Sequence, residues 1–185
     1  MKLLSFSLLL ILNVTAAAAQ DRLITRNGAI SFYSKTSLED IKAYTQTAAS
    51  VLDKKTGLVE FIVLIKSFVF EKALMQEHFN ENYLESDKFP KSVFKGRIDD
   101  LSKIDFSHEG KYIATVTGLL TIHGETKTVT SSATFNVQNE SVSAVAEFSI
   151  ELADYKIRIP SLVKDKISKT VKIKVNLNYS PVSVP

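Results

Sequence analysis

Cysteine is absent from all 185 residues. That excludes disulfides, thiolate metal sites and a cysteine nucleophile, and it removes the acceptor for a lipid-modified N-terminal cysteine. A secreted form of this chain would be untethered and would rest on its hydrophobic core alone. A basic block or stripe is also missing. The formal net charge is +3, with Lys, Glu and Asp dispersed along the chain, so a nucleic-acid partner has no footprint here. No apolar run reaches the ~20 residues of a membrane-spanning helix, and no stable membrane span is expected. Finally, there is no Gly-x-Ser-x-Gly elbow, no P-loop and no glycine-rich dinucleotide turn. The chain offers no catalytic constellation. It is read as a non-enzyme without a cofactor.

What is present begins with a leader. Lys2 supplies a positive start, residues 3–14 an apolar stretch broken by Ser5, Ser7 and Asn13, and Ala17, Ala18 and Ala19 a small-residue cleavage site. The pattern is that of a secretory signal over residues 1–19. The mature domain is then 20–185, beginning at or within two residues of Gln20, with a periplasmic or secreted destination. Sequons at Asn13, Asn139 and Asn178 would matter only in a eukaryotic secretory pathway.

The rest of the chain alternates with period two. Val142, Ala144, Ala146, Phe148, Ile150 and Leu152 share one face of a run whose other face is mostly Ser and Glu, with Val145 as the exception. Val171, Ile173, Val175, Leu177 and Tyr179 alternate with Lys172, Lys174, Asn176 and Asn178. Such runs are half-buried antiparallel strands. Further strands are expected over 28–34, 49–53, 58–70, 93–99, 111–123 and 127–138. Turns at residues 54–57, 123–125 and 138–140 close hairpins, with Gly57 and Gly124 as the flexible positions. The tail from Ser180 should fray. Evenly spaced strands in this number predict an all-β closed barrel or a sandwich with one or two short helices.

Two segments look helical. Ser37 and Asp40 resemble a capping box that opens a short helix to about Tyr44. Over residues 71–83, Met75, Phe79 and Tyr83 fall at i, i+4 and i+8, with Leu74, His78 and Asn82 on the neighbouring stripe. Pro90 bars continuation of the second helix.

Polar candidates are few. His78 lies beside an apolar stripe, and the other histidines, His108 and His123, sit near turns at no metal-ligand spacing. A hydrogen-bonding role or a contact with a ligand head group is the better reading for His78. Asp87, Asp99, Asp100, Asp105 and Asp154 are not spaced to form an acid–base pair. Asp154 and Tyr155 stand out because they end a strongly alternating strand, and a carboxylate there more often holds a turn.

Phenylalanine carries the stronger signal, with eleven copies, among them Phe32, Phe61, Phe68, Phe70, Phe94, Phe135 and Phe148 on expected strands. Alternation assigns Phe32, Phe61, Val63, Phe94, Ile98, Phe135, Ala146, Phe148, Ile150, Ile173 and Val175 to the inner face. The segment 58–70 is apolar on both faces, so its outer face is expected to lie under the 71–83 helix. An eight-stranded barrel is near the size at which the interior either fills with side chains or holds one small ligand. The pattern alone leaves both open.

Two stretches carry a family resemblance. The first is an aromatic strand, then Met75, His78 and Phe79, then an acidic-Lys-aromatic-Pro step over Asp87, Lys88, Phe89 and Pro90, then Phe94 and Gly96. The second runs through Gly118, Leu120, Thr121, Ile122, His123, Gly124, Thr126 and Lys127. In this order they resemble the bacterial periplasmic polyisoprenoid-binding, or YceI-like, family. The resemblance implies a lipocalin-like antiparallel β-barrel of about eight strands with an apolar tunnel. The tunnel would hold a long-chain amphiphile: a polyisoprenoid, prenyl quinone or fatty-acid derivative. The inner-face residues would then bind the ligand, with His78, Asp154 and Tyr155 near its head at the mouth. A homodimer is compatible with this reading. The alternative is a non-catalytic envelope or stress-response protein with a filled barrel that acts through protein contacts. This chain departs from the family in having no tryptophan. It also has Leu152 where a basic residue is common and Lys156 where glycine is common. If that basic residue meets an anionic head in other members, Leu152 points to a neutral one here.

Overall fold

The structure, a computed structural model, describes residues 21–182; the expected leader and its cleavage site lie outside the described residues. The strands are β1 (Arg22–Lys35), β2 (Asp40–Asp53), β3 (Leu58–Leu64), β4 (Val69–Phe70), β5 (Lys91–Ile98), β6 (Gly110–Ile122), β7 (Glu125–Gln138), β8 (Ser141–Glu151) and β9 (Thr170–Pro181). All pair antiparallel in the order β1-β9-β8-β7-β6-β5-β3-β2, and β1 pairs with β2 to close the ring. The two-residue β4 adds to β2 through Ala43 and Tyr44. The result is a closed eight-stranded barrel.

Hairpin chemistry follows the sequence. His123 and Gly124 both take positive φ, 51° and 77°, between the paired Ile122 and Glu125. That is the backbone a two-residue primed turn requires. Asn139 does the same between Gln138 and Ser141. The end of β9 does not fray at Ser180, because Ser180 and Pro181 lie in register with Ile24 and Leu23.

Two expectations are corrected. Residues 37–44 form no helix. Thr36 accepts hydrogen bonds from the backbone N–H groups of Leu38 and Glu39, and its own N–H donates to the Glu39 carbonyl at 3.0 Å. The hydroxyl thus closes a hairpin turn and β2 starts at Asp40. The segment 58–70 is not continuous either. A 3-10 turn over Ile65–Ser67 splits it into β3 and β4. Its outer residues Ile62, Leu64 and Val69 stay partly exposed, because the helix α1 (Ala73–His78) and the π-helical turn Phe79–Tyr83 pack elsewhere. Phe79 lies against Phe32, Phe68 and Phe70 at 5.0–5.8 Å between ring centroids, at one end of the lumen.

The glycines of the recurring motif now have a physical role. Gly96 and Gly118 face each other across β5 and β6. A Cβ on Gly96 would lie 2.5 Å from the Phe94 ring, and one on Gly118 2.6 Å from it. The tip of the ring occupies the space beside the glycine pair, and the ring stacks on Phe61 at 5.1 Å with 16° between planes. A side chain at either glycine would meet both that ring and the facing backbone, with Thr117 O at 2.6 Å from a Cβ on Gly96 and Gly96 Cα at 2.4 Å from one on Gly118.

Candidate functional site

The barrel is not filled. A cavity of about 260 Å³ opens from the helix-bearing end, and a smaller one of about 60 Å³ lies deeper. The large cavity is lined from β1 by Ile30 and Phe32, from β3 by Phe61 and Val63, from β8 by Phe148 and Ile150, and from β9 by Val171, Ile173 and Val175. The small one is lined by Phe94, Phe135, Ala133, Ala144 and Ala146, among others. Phe61, Phe148 and Val175 line both. In an eight-membered ring, β3 and β8 stand opposite each other. Phe61 and Phe148 therefore reach in from opposite walls and partition the lumen.

Residues with polar side-chain groups lining the large cavity are Ser34, Ser92, Tyr83, Glu39, His78 and Lys166. The two serines are engaged: Ser92 donates to the Thr121 carbonyl, and Ser34 accepts from the Ser168 N–H at 2.9 Å. Glu39, His78 and Lys166 belong to the mouth. Glu39 comes from the β1–β2 turn, His78 ends α1, and Lys166 sits in the connection between β8 and β9. Lys72 donates to Glu39 at 2.9 Å. That hydrogen bond and the lysine charge hold the Glu39 carboxyl below its usual range.

A second polar cluster anchors the segment that follows α1. His123 Nε2 lies 2.6 Å from Glu85 Oε2, and Nδ1 lies 3.0 Å from the Tyr155 carbonyl. The ring thus bridges two acceptors, the Glu85 carboxylate and the Tyr155 carbonyl. Its hydrogen bond draws the Glu85 carboxyl below the usual range. Phe89 packs edge-on against His123 at 4.7 Å and would meet any Cβ on Gly124 at 2.6 Å. The latch ties the strap 79–90, which carries the cavity-lining Phe79, Tyr83 and Leu84, to the β6–β7 turn. In the sequence His123 stands near a turn and within the stretch that carries the family resemblance, with no role assigned to it.

Of the expected inner-face residues, Phe32, Phe61, Val63, Phe148, Ile150, Ile173 and Val175 line the large cavity, and Phe94, Phe135 and Ala146 line only the small one. Ile98 is buried but lines neither, since it packs beside Gly57 at the far end. His78 lies at the mouth. Asp154 and Tyr155 do not. Asp154 is exposed in the 3-10 turn Leu152–Tyr155, and the Tyr155 side chain is buried beneath it. The turn moves both off the alternating face, leaving Leu152 as its cavity residue. Lining residues outside the expected set include Glu39, Ile41, Leu84 and Ile157, and also Val163, Lys166 and Ile167 in a connection without periodicity. The remaining aspartates stay apart: Asp87 pairs with Lys66, Asp99 with Thr117, Asp100 with Ser102, and Asp105 with Ser107 and His108. Among the described residues no three potential metal ligands cluster, and no helix is long and apolar enough to cross a membrane.

Two buried tyrosines give a contrast that can be measured. Ser50 donates to the Glu60 carbonyl at 2.6 Å, so the Tyr179 hydroxyl, 2.8 Å from Ser50 Oγ, donates to it. The Tyr155 hydroxyl has no partner among the described residues. Tyr179→Phe should cost about 1 kcal/mol, whereas Tyr155→Phe should be neutral or stabilise by about 1 kcal/mol, since it removes a buried unsatisfied group. Thermal melts of the two variants check this. Burial pushes the Tyr155 phenol up to about 12, with Asp154 adding to the shift. Because the folded value is raised, its contribution is complete below the unfolded value near 10 and is lost as pH rises toward 12. Tyr155→Phe should therefore flatten the alkaline fall in melting temperature.

The sequence model of the YceI-like domain matches residues 22–179. No curated protein matches the chain. Among solved structures, a polyisoprenoid binding domain from Saccharophagus degradans superposes with a TM-score of 0.76 at 13% identity, covering 87% of this chain and 98% of that one. Burkholderia cenocepacia BcnA gives 0.68 at 18%, covering 82% and 95%. A Campylobacter jejuni YCEI protein gives 0.59 at 16%, covering 74% and 82%. At these identities the likeness is one of fold.

Proposed function

The chain belongs to the YceI-like domain family, and from that membership we propose that it is a secreted, periplasmic binding protein for a long-chain amphiphile. The tail of a polyisoprenoid, prenyl quinone or fatty-acid derivative occupies the lumen, with its head at the mouth. The observation that carries this reading is the large cavity itself. Its wall is apolar except for two engaged serines, the phenol-bearing Tyr83 and the mouth residues Glu39, His78 and Lys166. A ligand portion with unmet hydrogen-bonding groups would be penalised inside it, so an unsubstituted hydrocarbon tail is the matching chemistry. A barrel filled with side chains, acting only through protein contacts, would not leave this space.

Lys166 apart, the lining favours a neutral head. Leu152 puts an uncharged side chain into the wall, and Glu39 is already paired with Lys72. The role of the protein's residues is to bind, orient and exclude water; no chemical step is assigned to them. The leader over residues 1–19 supports export. Lys156 takes a left-handed φ of 54° at the position where family members commonly have glycine, a conformation glycine adopts without strain. Its ion pair with Glu125 at 2.6 Å holds the turn there.

Solvent extraction of detergent-free purified protein, followed by mass spectrometry, tests the reading. One class of amphiphile with a long hydrocarbon tail and an uncharged head is expected in amounts close to the protein's. Extracts matching those of an unrelated periplasmic protein would overturn it.

A further inference from the structure

Among the described residues, three of the four most exposed large apolar side chains lie on segments that bear the mouth. Leu162 is 93% exposed, Leu38 65% and Leu74 61%; the other, Ile113 at 63%, lies on the outer wall of β6. Scattered exposed leucines are ordinary on a protein surface. These three lie off the strands, on the β1–β2 turn, α1 and the β8–β9 connection, the same segments that carry the mouth residues Glu39, His78 and Lys166. They come from three separate segments that are tied together. Lys72 bridges the helix start to Glu39 in the β1–β2 turn at 2.9 Å, and the Ser168 N–H bridges the β8–β9 connection to Ser34 on β1 at 2.9 Å.

The connection that presents Leu162 is also the most basic stretch near the mouth. Residues 156–169 carry Lys156, Arg158, Lys164, Lys166 and Lys169 against Asp165 alone. The segment's excess of four positive charges is larger than the chain's net +3. Lys156 is paired with Glu125; the other four have no ion pair among the described residues. Glu71, Glu77 and Glu81, on the helix side, carry the opposite sign, so the basic connection leads any approach to an anionic surface.

We propose that this rim docks on an anionic lipid bilayer, with Leu162, Leu38 and Leu74 entering the interface and Arg158, Lys164, Lys166 and Lys169 meeting the head groups. The inference rests on the reading of the lumen as a site for an amphiphile's tail. Apolar residues on separate loops around an opening suit a flat, fluid surface better than a groove-filling peptide. Leucine insertion backed by basic residues is the mode of interfacial binding. Docked in this way, the cavity opens onto the acyl region, and a tail passes between lumen and leaflet without crossing water.

Vesicle co-sedimentation of the full mature chain tests this. The vesicles are phosphatidylglycerol mixed with phosphatidylcholine, against phosphatidylcholine alone. The wild type should sediment with the anionic vesicles, less with the neutral ones, and less as salt rises. Leu162→Asp should reduce binding by about tenfold or more, while Ile113→Asp, equally exposed on the outer wall, should leave it unchanged. Equal binding by these two variants, or no binding of the wild type to either vesicle, would overturn the proposal. So would a wild-type dimer in gel filtration that Leu162→Asp dissolves, because the rim would then serve a second copy of the chain. Solvent extracts of Leu162→Asp separate the two readings. Bound amphiphile without vesicle docking defeats the docking alone, and Leu162-dependent docking by a protein with an empty lumen defeats the carrier reading alone.

Discussion

Phe148→Ala should lengthen the tail of the amphiphile that the protein retains. The ring of Phe148, with that of Phe61 on the opposite wall, separates the cavity of about 260 Å³ from the inner one of about 60 Å³. Removing it joins the two and lets a chain run on between Ala144, Ala146 and Phe135. A fully buried Phe→Ala change costs ~3–5 kcal/mol. Phe148 should cost less, since it already faces empty space on two sides. The reciprocal change is Ala146→Phe, which fills the inner cavity from the same strand. It should cost roughly 1–3 kcal/mol through overpacking and shift retention toward shorter tails without emptying the large cavity. Mass spectra of extracts from the two variants should move in opposite directions. Identical tail distributions in both would mean that the Phe61–Phe148 partition does not measure the ligand.

The second large effect should come from the latch. His123→Ala removes the hydrogen bond to the Tyr155 carbonyl, worth about 1 kcal/mol. Alanine keeps the Cβ that histidine already places at a φ of 51°, so the backbone cost is unchanged and the loss is that of the hydrogen bonds. Glu85 loses its partner as well. A loss near 2 kcal/mol lowers the melting temperature by about 4–8 °C in a domain of this size. His123→Asn tolerates the left-handed backbone but cannot bridge both acceptors, so it should fall between the two. Hydrogen exchange should show the strap 79–90 opening first, since the latch is its tie to the β6–β7 turn. Acid should act in the same direction. The Glu85 carboxyl is depressed in the folded state, so its contribution is present above the unfolded carboxylate value and is lost as pH falls through the folded one. Uniform loss of protection across the barrel in His123→Ala would contradict a local latch.

How far the sequence was readable depended on which face carried apolar residues. β9, and β8 but for Val145, alternate throughout, and the structure buries Val142, Ala144, Ile150, Val171, Val175, Leu177 and Tyr179 as alternation requires. β2 was legible only in its last five residues. Its inner face is Ala43, Thr45, Ala48 and Ser50, small or hydroxylated residues that are nonetheless buried. Thr45 and Ser50 are accommodated because they bond Ser67 and Tyr179, partners 22 and 129 positions away in the chain. No local pattern reports such distances, and a turn built on the Thr36 hydroxyl was mistaken for a helix start. The site divides in the same way. Its walls follow from alternation. Its mouth residues Val163, Lys166 and Ile167 come from an aperiodic connection, and the latch joins residues 38 positions apart. Asp154 and Tyr155 were misplaced because a 3-10 turn interrupts the alternation after Glu151.

The central claim is that the lumen holds a hydrocarbon tail. A crystal structure of protein purified without detergent, with no lipid added, tests it most directly. The account predicts continuous elongated density in the large cavity, ending against Phe61 and Phe148 at one end and between Glu39, His78 and Lys166 at the other. A lumen closed by rearranged side chains, or one holding only discrete waters, would contradict it.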